Sequence, residues 1–289
     1  MNYSALIQNR KSFREFTDKK VSKTAVEKIK LHHRRNAYRL LPELETELLI
    51  VGTEARTRLE GAAGYHHFLV GAPQYMVLLS EKHDRAYLNA GFLMEDLILK
   101  LAEMGLDSCW LTFTDSSGIK QALDIQAEKE VVAIAAFGYG KKTVKRLRLN
   151  FRSMSDVDIQ AKYRYMEPKR SIKELVFVDA WGENRELDRN IGFFEDMLWE
   201  ALYAASLAPS YLNRQSYGFL LQGGTISLVS RPDSYNTHID AQLSLGAVLL
   251  HFTAVAENWA GKITWQLDKG AENVPLPEGH AWIAKAVLS

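Results

Sequence analysis

The chain has 289 residues, with 36 Lys+Arg against 35 Asp+Glu, 47% hydrophobic and 10% aromatic residues. That apolar fraction excludes a disordered chain, and 7 prolines exclude a Pro-rich linker protein. A single cysteine, Cys109, excludes an internal disulfide and a cysteine-based zinc site, so a reducing, cytoplasmic setting is expected. Residues 1–30 read as a helical entry carrying a compact basic cluster from Asn9 to Phe16, without the long apolar core of a signal peptide. Residues 43–51 end in Glu47-Leu-Leu-Ile-Val51, a strand, and Gly61 to Gly64 is a loop. Ala72 to Ser80 is short, apolar and β-biased, the mark of a buried strand. The strongest helix runs from about Tyr87 to Met104, with Leu93, Leu97, Ile98, Leu101 and Met104 spaced by threes and fours and Gly105 as its stop. Ser108 to Phe113 is a strand or loop, a short helix follows near 116–123, and the buried strand Val131 to Phe137 closes on Gly138-Tyr-Gly140.

The stretch from Lys141 to Arg152 is basic and irregular and reads as a surface excursion. Lys169-Arg-Ser-Ile-Lys-Glu-Leu-Val-Phe177 then leads into a second unit. Its helix covers about Phe193 to Leu207 and breaks at Ala208-Pro-Ser210. Strands follow at Tyr217 to Gln222 and 225–229, then a long apolar helix from about Asp240 to Asn258, then Lys262 to Leu267. The longest apolar run, Leu245 to Ala256, is interrupted by His251 and Thr253 and is too short to span a bilayer, so no membrane partner is expected. The two units share an order: helix, strand, long buried helix, glycine and a tryptophan-containing strand, so the chain reads as a repeat. Strands following one another closely favour an α+β fold over a doubly wound parallel sheet. Residues 1–178 carry 29 basic and 22 acidic side chains, residues 179–289 carry 7 and 13, and halves of opposite sign suit a chain folded back on itself.

Three segments have the residue types that chemistry needs. In Arg10-Lys-Ser-Phe-Arg-Glu-Phe16, Arg10, Lys11 and Arg14 offer cationic donors, Ser12 a hydroxyl, and Phe13 and Phe16 an anchor to the core. Rigidly held, such donors bind phosphate; a solvated basic helix start has the same composition. In Ala208-Pro-Ser-Tyr-Leu-Asn-Arg-Gln-Ser-Tyr-Gly-Phe219, a polar loop presents Ser210, Asn213 and Gln215, which suit a flat heteroaromatic ligand or an ordinary helix-to-strand turn. Lys169-Arg170 adds cations to either a phosphate site or the surface. The basic run 141–152 raises nucleic acid as a rival partner, but no recognised binding motif surrounds it, and none is expected. The adjacent pairs His32-His33 and His66-His67 do not face one way on a helix or strand, so no metal site is expected. No dinucleotide or P-loop glycine pattern occurs, Cys109 reads as an inert buried thiol, and the carboxylates form no convincing pair.

Together these segments resemble the FMN-dependent nitroreductase superfamily. Arg10 to Phe16 matches its opening Arg-Arg-Ser-x-Arg-x-Phe, with Lys11 in place of Arg, and Ala208 to Phe219 is similar to its Ala-Pro-Ser-x-x-Asn-x-Gln-Pro-Trp-x-Phe, with Ser216-Tyr217 for Pro-Trp. Asn89 to Trp110 is similar to the family's interface helix and following strand, Val131 to Gly140 to its Val-x-Ala-x-x-x-x-Gly-Tyr, and Lys169-Arg170 to its C-terminal basic segment. In the family's homodimers the two opening motifs lie in one subunit and the flavin spans the subunit interface. Here the Ala-Pro-Ser-x-x-Asn loop occurs only in the second half.

The resemblance therefore implies a nitroreductase-like α+β fold built as a fused pseudo-dimer, with halves 1–180 and 181–289 and one working site in a monomer. Arg10, Lys11, Ser12, Arg14, Lys169 and Arg170 are implied on the phosphate and ribityl side, and Pro209, Ser210 and Asn213 on the ring. Leu111 and Thr112 are similar to the segment that approaches the flavin N5 edge, and Tyr65 is implied at the border of the ring. The implied activity is a ping-pong NAD(P)H oxidoreductase using FMN to reduce nitroaromatic or quinone-like molecules, with no catalytic side chain. A non-catalytic flavin-binding or flavin-handling protein with the same fold is the alternative.

Overall fold

The computed structural model describes residues 1–64, 69–141, 146–153, 156–162, 169–182, 193–271 and 273–288. The chain opens with α1 (Tyr3–Asn9) and α2 (Lys23–Arg35), whose first turns are capped by the side chains of Asn2 and Ser22. Next come β1 (Thr46–Gly52), α3 (Ala55–Leu59), β2 (Gln74–Ser80), the long α4 (Ala86–Glu103), β3 (Asp107–Leu111), α5 (Ser116–Leu123) and β4 (Glu130–Gly138). β5 (Arg146–Ser153) and β6 (Asp156–Lys162) pair only with each other. α6 (Ile172–Leu175) runs directly into β7 (Val176–Val178), followed by α7 (Phe193–Ser206) and a 3-10 turn at Tyr211–Asn213. The chain ends with β8 (Tyr217–Gln222), β9 (Thr225–Ser230), α8 (His238–Ala256), β10 (Gln266–Leu267) and β11 (Ala281–Val287).

The first sheet has the order β1-β2-β4-β3 and is antiparallel throughout. The second has the order β8-β9-β11-β10, also antiparallel, with β7 added parallel to β8 at its edge. In chain order, β1, β2, α4, β3 and β4 thus correspond to β8, β9, α8, β10 and β11. A repeat is present as topology (hairpin, long helix, two strands), but the tryptophan-containing strand expected at 262–267 is only Gln266–Leu267, which leaves Trp265 outside it. This is an α+β fold made of two related units. β7, from the segment leading out of the first unit, is inserted into the sheet of the second.

α4 and α8 pack on each other at the centre. A Cβ on Gly91 would lie 2.2 Å from the carbonyl oxygen of Leu243, and one on Gly246 would lie 2.1 Å from that of Leu88. The helices therefore cross backbone against backbone, and only glycine fits at either crossing position. Because each is enclosed on nearly all sides, their apolar residues are not confined to one stripe. By length and composition α8 is apolar enough to cross a membrane, but 83% of its most apolar window is buried inside the protein.

Three sequence expectations are corrected. The helical entry is split: α1 ends at Asn9 and residues 10–17 are not helical, because Phe13 and Phe16 bury themselves against the sheet instead. The basic stretch after Lys141 is regular from residue 146. Arg146-Leu-Arg-Leu-Asn-Phe151 alternates polar and apolar with the period of a strand, and it pairs in register with 157–162. β11, which completes the second sheet, had no counterpart among the expected elements.

Candidate functional site

At Arg10 the chain turns out of α1 into extended backbone (φ −61°, ψ 135°), its N–H still bonded to Leu6 O. The next residues run along the edge of the first sheet: Ser12 bridges Ser108 in parallel, Phe13 N–H donates to Ser108 O at 2.9 Å, and Thr17 N–H to Tyr139 O at 2.8 Å. A Cβ on Gly140 would sit 2.1 Å from the Phe13 ring, so the Gly138-Tyr-Gly140 motif is the seat of the Phe13 anchor. This docking leaves Lys11, Ser12 and Arg14 exposed. The Arg10 side chain is the exception, only 10% exposed.

Arg10 reaches a polar cluster at the centre of the molecule. Its Nε lies 3.3 Å from Oε1 of Glu95, a residue of α4 with no exposed surface. The same oxygen faces His251 Nε2 of α8 at 3.0 Å, and Trp110 Nε1 of β3 donates to Oε2 at 2.8 Å. His251 Nδ1 lies 3.0 Å from Ala204 O, and a carbonyl only accepts, so Nδ1 carries a proton. Burial alone would raise the Glu95 carboxyl, but Arg10, His251 and Trp110 together hold it below the usual carboxylate range. Lys169 joins from the other side, its Nζ donating to Ala208 O at 2.7 Å. Burial first, and then the neighbouring Arg10, lower its ammonium to about 8 against the opposing pull of Glu95. Two cations thus converge where the described side chains supply one carboxylate.

The loop after α7 comes from the second unit. Ser210 Oγ accepts from Gln215 N–H at 3.1 Å, and Tyr211 N–H donates to Ser244 Oγ of α8 at 3.1 Å. Leu212 (φ 48°), Asn213 (φ 56°) and Gln215 (φ 50°) all hold left-handed backbone, which is costly for side-chain-bearing residues and is kept only where surroundings enforce it. Ser244 Oγ donates on to Asp240 O, and the Asp240 carboxylate accepts from Thr112 Oγ1 at 2.8 Å and Thr237 Oγ1 at 2.7 Å. Burial raises the Asp240 carboxyl despite both hydroxyls. One hydrogen-bonded path therefore links Tyr211 to Thr112 across the two units, beside buried Leu111.

Lys169 is thus brought to Ala208 at the start of the loop with Arg10 beside it, and Thr112 is brought to Asp240 at the start of α8. Arg170 is joined through its backbone, its N–H donating to Gln215 Oε1 at 2.7 Å while its side chain is exposed. Tyr65 lies outside the described residues, as do His66 and His67. Gln215, presented by the same loop, is fully buried, and its amide serves Arg170 and Ser206. Glu95 and Asp96 are adjacent on α4, both fully buried, and point to different partners; Asp96 accepts from Tyr3 OH at 2.7 Å and faces His32 Nε2 at 2.8 Å. Two acids inside an apolar helix were the signal available in the sequence. His33 turns instead to Thr46 Oγ1 at 3.0 Å. Cys109 is buried with its thiol shifted upward by desolvation, which keeps it unreactive. A groove of about 600 Å³ between α2 and the end of α4, lined by Ser22, Lys28, His32, Lys100, Glu103 and Tyr139, shares none of these site residues.

Two related α+β units around crossed glycine-bearing helices, with the basic segment of one near a polar loop of the other, define the class: a two-sheet α+β protein with a candidate site between its units. The family described as "Putative TM nitroreductase" matches residues 2–256, and the chain belongs to that family. A Thermotoga maritima crystal structure described as a "putative nitroreductase" aligns over 100% of this chain and 94% of its own, with 18% identity and a TM-score of 0.61. An FMN-dependent nitroreductase from Clostridium difficile aligns over 47% of this chain and 86% of its own, with 23% identity and a TM-score of 0.41. A nitroreductase family protein from Clostridium novyi aligns over 49% of this chain and 88% of its own, with 19% identity and a TM-score of 0.43. No curated protein matched.

Proposed function

We propose that this chain is an FMN-dependent NAD(P)H oxidoreductase that reduces nitroaromatic or quinone-like molecules in ping-pong order, with one flavin site shared between two fused halves, 1–180 and 181–289. The observation that carries this reading is the approach of Arg10 to Lys169, whose ammonium holds Ala208 O at the start of the 208–213 loop. The residues fit the cofactor in two respects. The donor set is cationic at one end and neutral and hydrogen-bonding at the other, as a phosphate and a heteroaromatic ring require. Arg10 Nε, buried beside Glu95, has no hydrogen bond of its own, and Nη1 reaches Ser12 Oγ only at 3.5 Å, so the guanidinium keeps donors for an anion.

When bound, the flavin supplies hydride transfer between the nicotinamide and the acceptor. The chain's part is to hold and orient. Arg10, Lys11, Ser12 and Arg14 bind the phosphate and ribityl side, with Lys169 and Arg170 keeping that edge electropositive. Pro209, Ser210 and Asn213 orient the ring, and Leu111, Thr112 and Tyr65 border its reacting edge. Thr112 is itself held by the Asp240 carboxylate. No side chain is assigned to proton transfer. One polypeptide supplies both sides, so the working form is a monomer in the cytoplasm that needs no nucleic acid or membrane.

The visible absorption spectrum of the purified protein, followed by denaturation and identification of the released flavin, tests this. A yellow protein releasing FMN at one per chain is the expected result. A colourless protein that also fails to take up added FMN overturns the reading.

A further inference from the structure

The ring loop is unfavourable in isolation: within four residues it holds Leu212, Asn213 and Gln215 in left-handed backbone, and Leu212 is 47% exposed, so no core packing rewards its position. Its geometry is imposed by ties. Some are local, from Ser210 to Gln215 and from Ser244 to Tyr211. The other two come from outside the unit that owns the loop, and they grip it at its two ends. Lys169 Nζ holds Ala208 O, just before Pro209, and Arg170 N–H holds the buried Gln215 amide, just after Arg214. Gln215 passes the second grip on to Ser206 O at the end of α7.

We propose that Lys169-Arg170 is the splint of this loop, and that Lys169 is a positioning residue that couples the anion-binding edge to the ring end. This rests on the flavin reading for its functional sense, though not for its geometry. An ammonium has three donors and Ala208 takes one, leaving two to face an anion beside Arg10. An anion seated there keeps Lys169 in place, and through it the start of the loop; by reciprocity, a correctly set loop favours the anion. A residue acting only as a phosphate contact would lack this second effect.

The test compares full-length native protein with K169M, which keeps the stem but donates nothing, and with R10A. Trypsin cleavage after Arg214, identified by mass on flavin-free protein, reports loop opening. Binding of FMN and of riboflavin, which lacks the phosphate, reports the coupling. K169M is expected to speed cleavage after Arg214 roughly tenfold and to weaken riboflavin as well as FMN, whereas R10A weakens FMN alone. Unchanged cleavage, with loss confined to FMN, overturns the splint and returns Lys169 to a simple phosphate contact. If near-ultraviolet circular dichroism shows K169M unfolded, K169Q is measured in its place with the same two outcomes. A native protein that binds neither flavin sinks the flavin reading, and the cleavage comparison still decides the splint.

Discussion

At the residue scale, Arg10 is placed where its charge has the greatest leverage: largely out of solvent, balanced by one buried carboxylate, with a second cation close by. R10A removes charge-assisted hydrogen bonds to a phosphate, worth roughly 1.5–3 kcal/mol, and is expected to weaken FMN about ten- to a hundredfold in a fluorescence titration. Undiminished FMN binding with an intact fold would remove Arg10 from the site. A second prediction concerns stability. Burial first, then Arg39, Arg34 and His32, lower the His33 imidazole from 6.5 to about 4. Between those values the unfolded chain takes up a proton that the native chain refuses, so stability falls as pH drops from about 6.5 to about 4 and levels off below. The expected loss is on the order of 2–3 kcal/mol in denaturant melts, and H33Q should flatten that part of the profile. The same scale explains what the sequence revealed of the site. Of the candidate site, Arg10, Lys169 and Ser210 were legible because cationic and hydroxyl donors in short motifs form a residue-type pattern along the chain. Glu95, His251 and Asp240 were not, because their importance comes from meeting partners on other elements, and spacing along the chain does not encode that.

At the element scale, the two central helices show how one substitution can damage the whole. G91A would press a methyl group against the Leu243 carbonyl, and G246A would do the same at Leu88; backbone cannot swing aside as a side chain can. Either is expected to cost about 3 kcal/mol or more, read as a lower denaturation midpoint, whereas alanine at Gly105, where nothing lies within 4 Å, meets only backbone strain at φ 73°. The glycines also align the repeat. Two positions before Gly91, Asn89 Oδ1 accepts from the backbone of Leu40 and Leu41; two before Gly246, Ser244 Oγ accepts from Tyr211. Each long helix therefore steadies the loop entering its own sheet. In the first unit that loop carries Tyr38, packed at 5.6 Å against Tyr3 and hydrogen-bonded to Glu257, where the second carries Pro209 to Asn213. Long elements such as α4, α7 and α8 were legible because their apolar residues dominate their surroundings. The 10–17 segment and β7 were not, since short stretches take their conformation from the sheet edges they dock on, and their own propensities are overridden.

At the scale of the whole molecule, the flavin site proposed here joins residues far apart on one chain. At a fixed concentration of free FMN its occupancy should not depend on protein concentration, whereas a site shared between separable subunits empties as the subunits part on dilution. Flavin fluorescence and sedimentation followed down to nanomolar protein are expected to show an unchanged monomer with flavin retained; flavin loss that tracks dissociation would contradict the fused arrangement. β7 adds a direction to this arrangement. The segment leaving the first unit donates a strand to the sheet of the second, and among the described residues no strand is given back. In a symmetric pair, every inherited change is felt twice, so an improvement at one face is also imposed on the other. Here each position exists once. Drift in the first unit's loop can fill one face with tyrosine while the opposite face keeps its polar loop, and neither change has to be tolerated in duplicate.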